Sequence, residues 1–474
     1  MHKLLPASLV LAMALPGAAR ADADADIRAL RAEIETMRSA YEARLQALER
    51  RLEAVRSGPV AGPAVSAAPA PAVTAALPAP PALSTPANRA PLANAFNPAI
   101  SLILSGLYAR TSRDPARYAI RGFALPEGAE AGPGGRGFSL AESELVLSAN
   151  VDPCWRAEIT VALHGDDAVS VEEAYVQTTA LGNGLLLRAG RYLSDIGYLN
   201  PKHAHTWDFV DNPLAYQALL GTQYGDDGLQ LKWLAPTDRY LEFGAELGRG
   251  RSFPGSDTGN GAGNGASRNG AGMWSLFART GGDIGASHNW RAGVSVLNAK
   301  ASSLALADTD AAGAAVVNAF SGRTRVVVAD AVWKWAPGGN ATRTNVTVQG
   351  EVLRSRRTGS LVYDVGGADS TGDYRGTQSG WYVQGVYQFI PRWRVGLRTE
   401  RLDPGTPDYG ANAAAFAPTA WRARKHSLMF DFNASEFSRV RLQLAQDRAR
   451  EGASDNQLFL QYQMSLGAHG AHRY

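Results

Sequence analysis

From Ile100 onward, apolar and polar residues alternate with a period of two, in segment after segment. Trp155, Ala157, Ile159, Val161 and Leu163 alternate with Arg156, Glu158, Thr160 and His164. The same rhythm runs through 346–352, 393–398, 427–433 and 458–466. Successive strand side chains point to opposite faces, so each segment predicts a strand with one apolar face. A soluble sandwich would alternate too, and the connections decide between the two. About sixteen segments are present, an even number within the bacterial barrel range. Long Gly-, Asn- and Asp-rich stretches (111–136, 194–227, 251–271) take turns with tight ones at 152–153, 181–184, 235–238, 336–340 and 390–391. An outer-membrane barrel has long external loops and short periplasmic turns, whereas a sandwich has no reason to keep that parity. The fold class predicted for 97–474 is therefore all-β: an antiparallel transmembrane β-barrel of about sixteen strands.

The period changes before the barrel. Over 22–56, Ile27, Ile34 and Tyr41 recur at heptad spacing with Leu30 and Met37 on the second seam position. The seam continues after a four-residue slip as Leu45, Leu48, Leu52 and Val55. This predicts an N-terminal α-helical coiled coil, with a trimer as the preferred assembly. A helix that isolated has nothing in its own segment to pack on. Residues 57–96 are Ala, Pro, Val and Ser with few exceptions, which predicts a semi-extended spacer. Residues 1–21 read as a secretory signal: Lys3, an apolar core from Leu4 to Leu15, and a small-x-small cleavage site at Ala19-Arg20-Ala21.

Composition narrows the function classes. Net charge is +3 with 19% charged residues, which excludes a nucleic-acid footprint. The single Cys154 rules out an intramolecular disulfide, so an exported chain must find its stability elsewhere, and a closed barrel supplies it. The Gly-rich run at 259–272 lacks the Gly-Lys-Ser/Thr ending of a phosphate loop, and His164 and His426 have no companion that would make a hydrolase. The chain is therefore read as a non-enzyme. The predicted location is the bacterial outer membrane, amid its lipids and lipopolysaccharide, with the coiled coil in the periplasm and peptidoglycan as that segment's partner.

Signal, coiled coil, linker and barrel together resemble the phosphate-selective (O/P-type) porins and their zinc-regulated outer-membrane relatives. The resemblance implies a trimeric channel for passive diffusion of small hydrophilic solutes or ions, narrowed by its third external loop. Here that loop is 194–227, among the longest and most aromatic. Phosphate chemistry does not carry over, because Lys202, Lys232, Lys300, Lys334 and Lys425 are the barrel's only lysines. The inward phase instead mixes Arg156, Arg343, Arg394, Arg398 and Arg441 with Glu158, Glu351, Glu400 and Asp431, which predicts a transverse field in the lumen. His203, His205, Asp208 and Asp211 are expected to line the constriction. No cofactor is required by this reading. The alternative is a metal-handling barrel in which His203, His205 and Asp208 bind zinc, since His-x-His places two rings on one side of an extended segment.

Overall fold

A computed structural model of the chain describes residues 99–467, apart from 127, 166, 257–269 and 418. The segments expected to form the signal, the coiled coil and the spacer, together with His469, His472 and Tyr474, lie outside the described residues. The strands are β1 (Ala99–Thr111), β2 (Gly137–Leu140), β3 (Ser143–Asp152), β4 (Trp155–Leu163), β5 (Val169–Thr178), β6 (Leu185–Leu193), β7 (Gly225–Leu234), β8 (Tyr240–Gly248) and β9 (Met273–Ile284). They continue as β10 (His288–Thr309), β11 (Ala315–Trp335), β12 (Asn345–Tyr363), β13 (Ser370–Ile390), β14 (Trp393–Asp403), β15 (Arg424–Ser435), β16 (Ser438–Asp447) and β17 (Asp455–Gly467).

Apart from β2 and β3, each strand pairs antiparallel with the next. β2 and β3 lie on the same edge of β1, offset by one residue between Gly106↔Leu140 and Ile103↔Glu144, so they form one stave broken at 141–142. β17 pairs with β1 through Ser101↔Gly467 to Thr111↔Gln457 and closes the cylinder. The result is a closed sixteen-strand barrel in which every stave has a paired neighbour on both sides.

The alternation sorts as the period predicts. On β14, Trp393 and Leu397 face outward and are exposed, while Arg398 and Glu400 are buried inside. On β13 the outward set Trp381, Val383, Gly385, Tyr387 and Phe389 is apolar throughout. Nine residues at about 3.3 Å each, tilted by about 40°, cover roughly 23 Å, close to the apolar height of a barrel wall in lipid. Toward the turn end the band becomes aromatic, with Trp393 against Phe432 at 4.6 Å and Trp233 stacked on Phe243 at 5.9 Å.

The wall is uneven in height. Strands β10 to β13 run 22, 21, 19 and 21 residues, whereas β4 to β8 run 9 or 10. Loop parity therefore holds in modified form. The connections at 112–136, 194–224, 249–272 and 404–423 are long, while 310–314 and 364–369 are short turns on top of tall strands.

Candidate functional site

The third connection on the long-loop side, 194–224, joins β6 to β7. It ends three residues earlier than the sequence suggested, because β7 begins at Gly225. Asp227, read as loop, pairs across strands with Arg191 at 2.7 Å, and Asp226 accepts the Gly250 amide, so both belong to the sheet. Inside the loop, α1 (Leu214–Leu220) starts after Pro213 and stops at Gly221, whose left-handed φ of 65° lets its amide cap Tyr216 O. All seven helix residues are buried. A seven-residue helix is marginal by itself, so packing must hold it. Ile196, Leu199, Trp207, Leu214, Tyr216 and Leu219 supply that packing against Leu297, Val326, Val328, Leu353, Tyr382 and Leu402 of the wall.

A loop that meets inward residues on opposite walls lies in the lumen, and its polar contacts run from β3 round to β17. Glu351 of β12 accepts the amides of Tyr198 (3.1 Å) and Leu199 (2.9 Å) and the phenols of Tyr216 (2.8 Å) and Tyr382 (2.7 Å). Gly197 passes so close that a Cβ there would stand 2.4 Å from Glu351 Oε2, and its φ of +65° suits glycine. Asp195 pairs with Lys232 at 2.9 Å, and the Leu214 amide donates to Glu400.

Asp208 and Asp211 turn to a basic wall. Asp208 meets Arg394 at 3.0 Å, and Gln384 donates to it at 3.1 Å. Asp211 meets Arg398 at 2.7 Å and Lys425, with Gln443 donating at 2.8 Å. Burial opposes the Asp211 charge, but Lys425 and Arg398 outweigh it and hold the carboxyl well below the usual range. Behind them Asp431 binds Arg441 at 2.8 Å and also Arg394, and Glu400 binds Arg398 at 2.7 Å.

His203 and His205 turn to an acidic wall. His203 Nδ1 lies 3.0 Å from Glu172 and 3.3 Å from Glu144, and Nε2 lies 2.9 Å from Glu173. His205 Nδ1 contacts Glu144 at 2.7 Å. Two consecutive glutamates reach one ring because β5 bulges: Thr160 pairs with Glu173 and Val161 with Val171, leaving Glu172 as the extra residue. Burial would push the His203 imidazole down; Glu172 and Glu144 overcome it and raise it well above its ordinary value.

These contacts correct two expectations. Asp208 is not joined to the two histidines, since Arg394 holds it; the donor set around His203 is Glu144, Glu172 and Glu173. Arg343 is not on an inward strand phase: β12 begins at Asn345, and Arg343 is exposed in the turn before it, where its carbonyl accepts from Gln388 at 3.2 Å. Arg394, Arg398, Arg441, Glu351, Glu400 and Asp431 do face inward, yet they pair with the loop or one another. Arg156 and Glu158 face inward on β4 and pair at 3.1 Å. The alternation missed Glu144, Glu172, Glu173, Lys425, Arg279 and Arg439. It also missed the apolar inward patch, although the runs Val326-Val327-Val328 and Val352-Leu353 mark strands with both faces covered.

A closed barrel with an apolar exterior and a charged, loop-occupied lumen is the class this fold defines. No protein-family model matches the chain. It is similar to an uncharacterised protein of Aquifex aeolicus (strain VF5), 29% identical over 359 residues, which span 72% of this chain and 70% of that protein. Among solved structures it is similar to an anion-selective porin from Comamonas acidovorans (12% identity, TM-score 0.46, 78% of this chain and 99% of that one). It is likewise similar to the outer membrane channel DcaP of Acinetobacter baumannii (12%, 0.44, 78% and 96%) and to Pseudomonas putida OprB (14%, 0.44, 78% and 94%).

Proposed function

We propose that the chain is an outer-membrane porin-like channel for passive diffusion of small hydrophilic solutes or ions, with the third loop narrowing its lumen. The observation that carries this reading is the reversal of polarity: a nine-residue apolar band outside, as on Trp381–Phe389 of β13, and ionised side chains inside. A soluble barrel would bury the first and hydrate the second. The organisation is that of O/P-type porins without their lysine lining. Association as a trimer through the short wall, and a coiled-coil tether to peptidoglycan, belong to the same proposal. Lipopolysaccharide is the lipid partner, because Arg323, Arg325, Arg354, Arg356 and Arg375 face outward just above the apolar band of the tall wall, and none is in an ion pair among the described residues. Arg325 and Arg356 are directly opposed in register, an arrangement that like charges tolerate when anions lie between them. Single-channel recording of the refolded protein in a planar bilayer with a salt gradient tests the channel. Steady open steps are expected, and silence from folded protein refutes it.

A second reading, zinc handling, is favoured by one observation: ligand atoms of Glu144, Glu172 and His203 lie within 4.8 Å of one another. Zinc ligands at ~2.0–2.2 Å stand about 3.3 Å apart, matching the spacing around Nδ1, with Glu173 orienting the ring through Nε2. Titration with Zn²⁺ decides it. Stoichiometric binding lost in H203A and E172Q but kept in D208N supports the site, and no binding by the parent protein rejects it.

A further inference from the structure

Near the long-connection end of the tall wall is a cavity of about 270 Å³, small by the standards of ligand pockets. Strands β10 to β13 form one side and the segments 121–124 and 404–419 the other. Phe320, Tyr374, Tyr409 and Phe416 give it aromatic walls. Tyr409 and Phe416 stack at 3.9 Å, and Phe320 meets Tyr374 edge-on at 5.8 Å. Arg357 of β12 points inward and lines the same space.

Arg357 is unusual among the inward cations. It is 4% exposed, and among the described residues it has no carboxylate partner and its Nε has no hydrogen-bond acceptor. Arg398, Arg394, Arg441 and Lys425 by contrast each hold an acid. Among the described residues its compensating contact is the Phe253 ring, 4.8 Å from the guanidinium. A cation–π contact is weaker than the desolvation of a guanidinium, so the folded protein leaves this charge under-compensated. Arg121, at the same cavity, is already engaged by Glu451 at 3.0 Å.

We infer that this cavity is a binding site for a small aromatic monocarboxylate, whose carboxylate pairs with the Arg357 guanidinium while its ring lies among Tyr374, Tyr409 and Phe416. A planar guanidinium favours a carboxylate bound in two-point fashion. One unpaired charge calls for a monoanion, and Asp308 in the lining disfavours a second negative charge. The apolar walls favour a ring over a polyol. As a stop for a solute in transit the site rests on the channel reading; as a binding site it does not.

Calorimetric titration of the refolded full chain in detergent with benzoate, and with benzamide as its neutral counterpart, tests this. The parent protein binds benzoate saturably and at least about tenfold more tightly than benzamide, as a charge-assisted pair requires. R357M loses at least about tenfold for benzoate and nothing for benzamide, and it keeps or raises the thermal midpoint, because it removes a buried unpaired charge. No saturable benzoate binding by the parent, equal binding of the two probes, or unchanged benzoate binding by folded R357M overturns the site. Bilayer recordings separate the readings. A silent bilayer with Arg357-dependent binding removes the channel and leaves the site, whereas conducting pores without such binding remove the site alone.

Discussion

Glu351 is where the lumen wall grips the loop, and Glu351→Gln is the sharpest test of how firmly. Each carboxylate oxygen takes one backbone amide and one phenol: Oε2 from Tyr198 and Tyr216, Oε1 from Leu199 and Tyr382. Phenols can turn and donate elsewhere, but the two backbone N–H groups cannot. Whichever oxygen becomes NH₂, one buried amide then faces another donor. A buried donor left without an acceptor costs about 1–3 kcal/mol, and the surviving bonds lose their charge assistance, about 1 kcal/mol more. Easier burial of a neutral amide returns part of this, so the net cost of docking the loop is about 2–3 kcal/mol. At 1.4 kcal/mol per decade the undocked population rises about 30- to 150-fold. Hydrogen exchange measured on the folded full chain in detergent reports it directly. Peptides covering Tyr198 and Leu199 should exchange faster by about that factor, through local opening, while β17 peptides stay as they were. Exchange at Tyr198 and Leu199 within about threefold of the parent would show that loop packing, not this carboxylate, sets the docking equilibrium.

Three further outcomes follow from the same geometry. V383R puts a charge in the middle of the outward band and should destabilise the folded barrel in lipid by about 2–4 kcal/mol, read by reversible urea unfolding in vesicles; no loss would place the band outside the bilayer. Because the folded His203 pKa is raised, its ion pairs stabilise fully below about pH 6.5 and are lost as pH rises through the raised value. Protection at 202–206 in the presence of a chelator, taken relative to the intrinsic base-catalysed exchange rate at each pH, should therefore fall on the alkaline side and not between pH 4 and 6, and H203Q should flatten the profile. R354E with R356E should weaken binding of purified lipopolysaccharide at least about tenfold, with salt shrinking the difference; equal retention by the double variant would contradict the arginine rim as its seat.

Much of the fold was readable because it depends on local order. The sets around Trp393–Leu397 and Val346–Val352 needed only a period of two to place Arg398 and Glu351 inside. The third loop showed itself by length and aromatic content. What the period could not supply was anything that depends on which strand lies opposite. Glu172 and Glu173 are consecutive, so strict alternation would send one outward; the bulge opposite Thr160 and Val161 brings both to His203. Arg343 failed for the complementary reason: extending the alternation two residues beyond the true start of β12 assigned a face to a turn residue. Asp208 failed because neighbours within a loop need not share a wall. The inward leucines and valines were visible as double-apolar runs, but their meaning depends on a helix that arrives from elsewhere in the chain.

The loop's charges match the wall in order as well as in sign. Reading along it, the histidines come first and meet Glu144, Glu172 and Glu173 on β3 and β5; the aspartates follow and meet Arg394, Arg398 and Lys425 on β14 and β15. Acidic and basic walls stand on either side of the β1–β17 closure, and Arg439 of β16 donates to the His205 carbonyl on the way across. A loop threaded in the opposite sense would set Asp208 and Asp211 against the glutamates and the imidazoles against the guanidiniums. Like charges brought together in a partly dry lumen repel strongly, and each would also leave its proper partner unpaired. The same transverse arrangement that would orient a solute dipole in a channel therefore has a prior role, which is to select the path of the loop. Many of the inward charges are spent on the protein's own third loop and on one another. In the channel proposed above, a solute would meet the remainder: the exposed share of the acidic wall, the rim, and the Arg357 guanidinium.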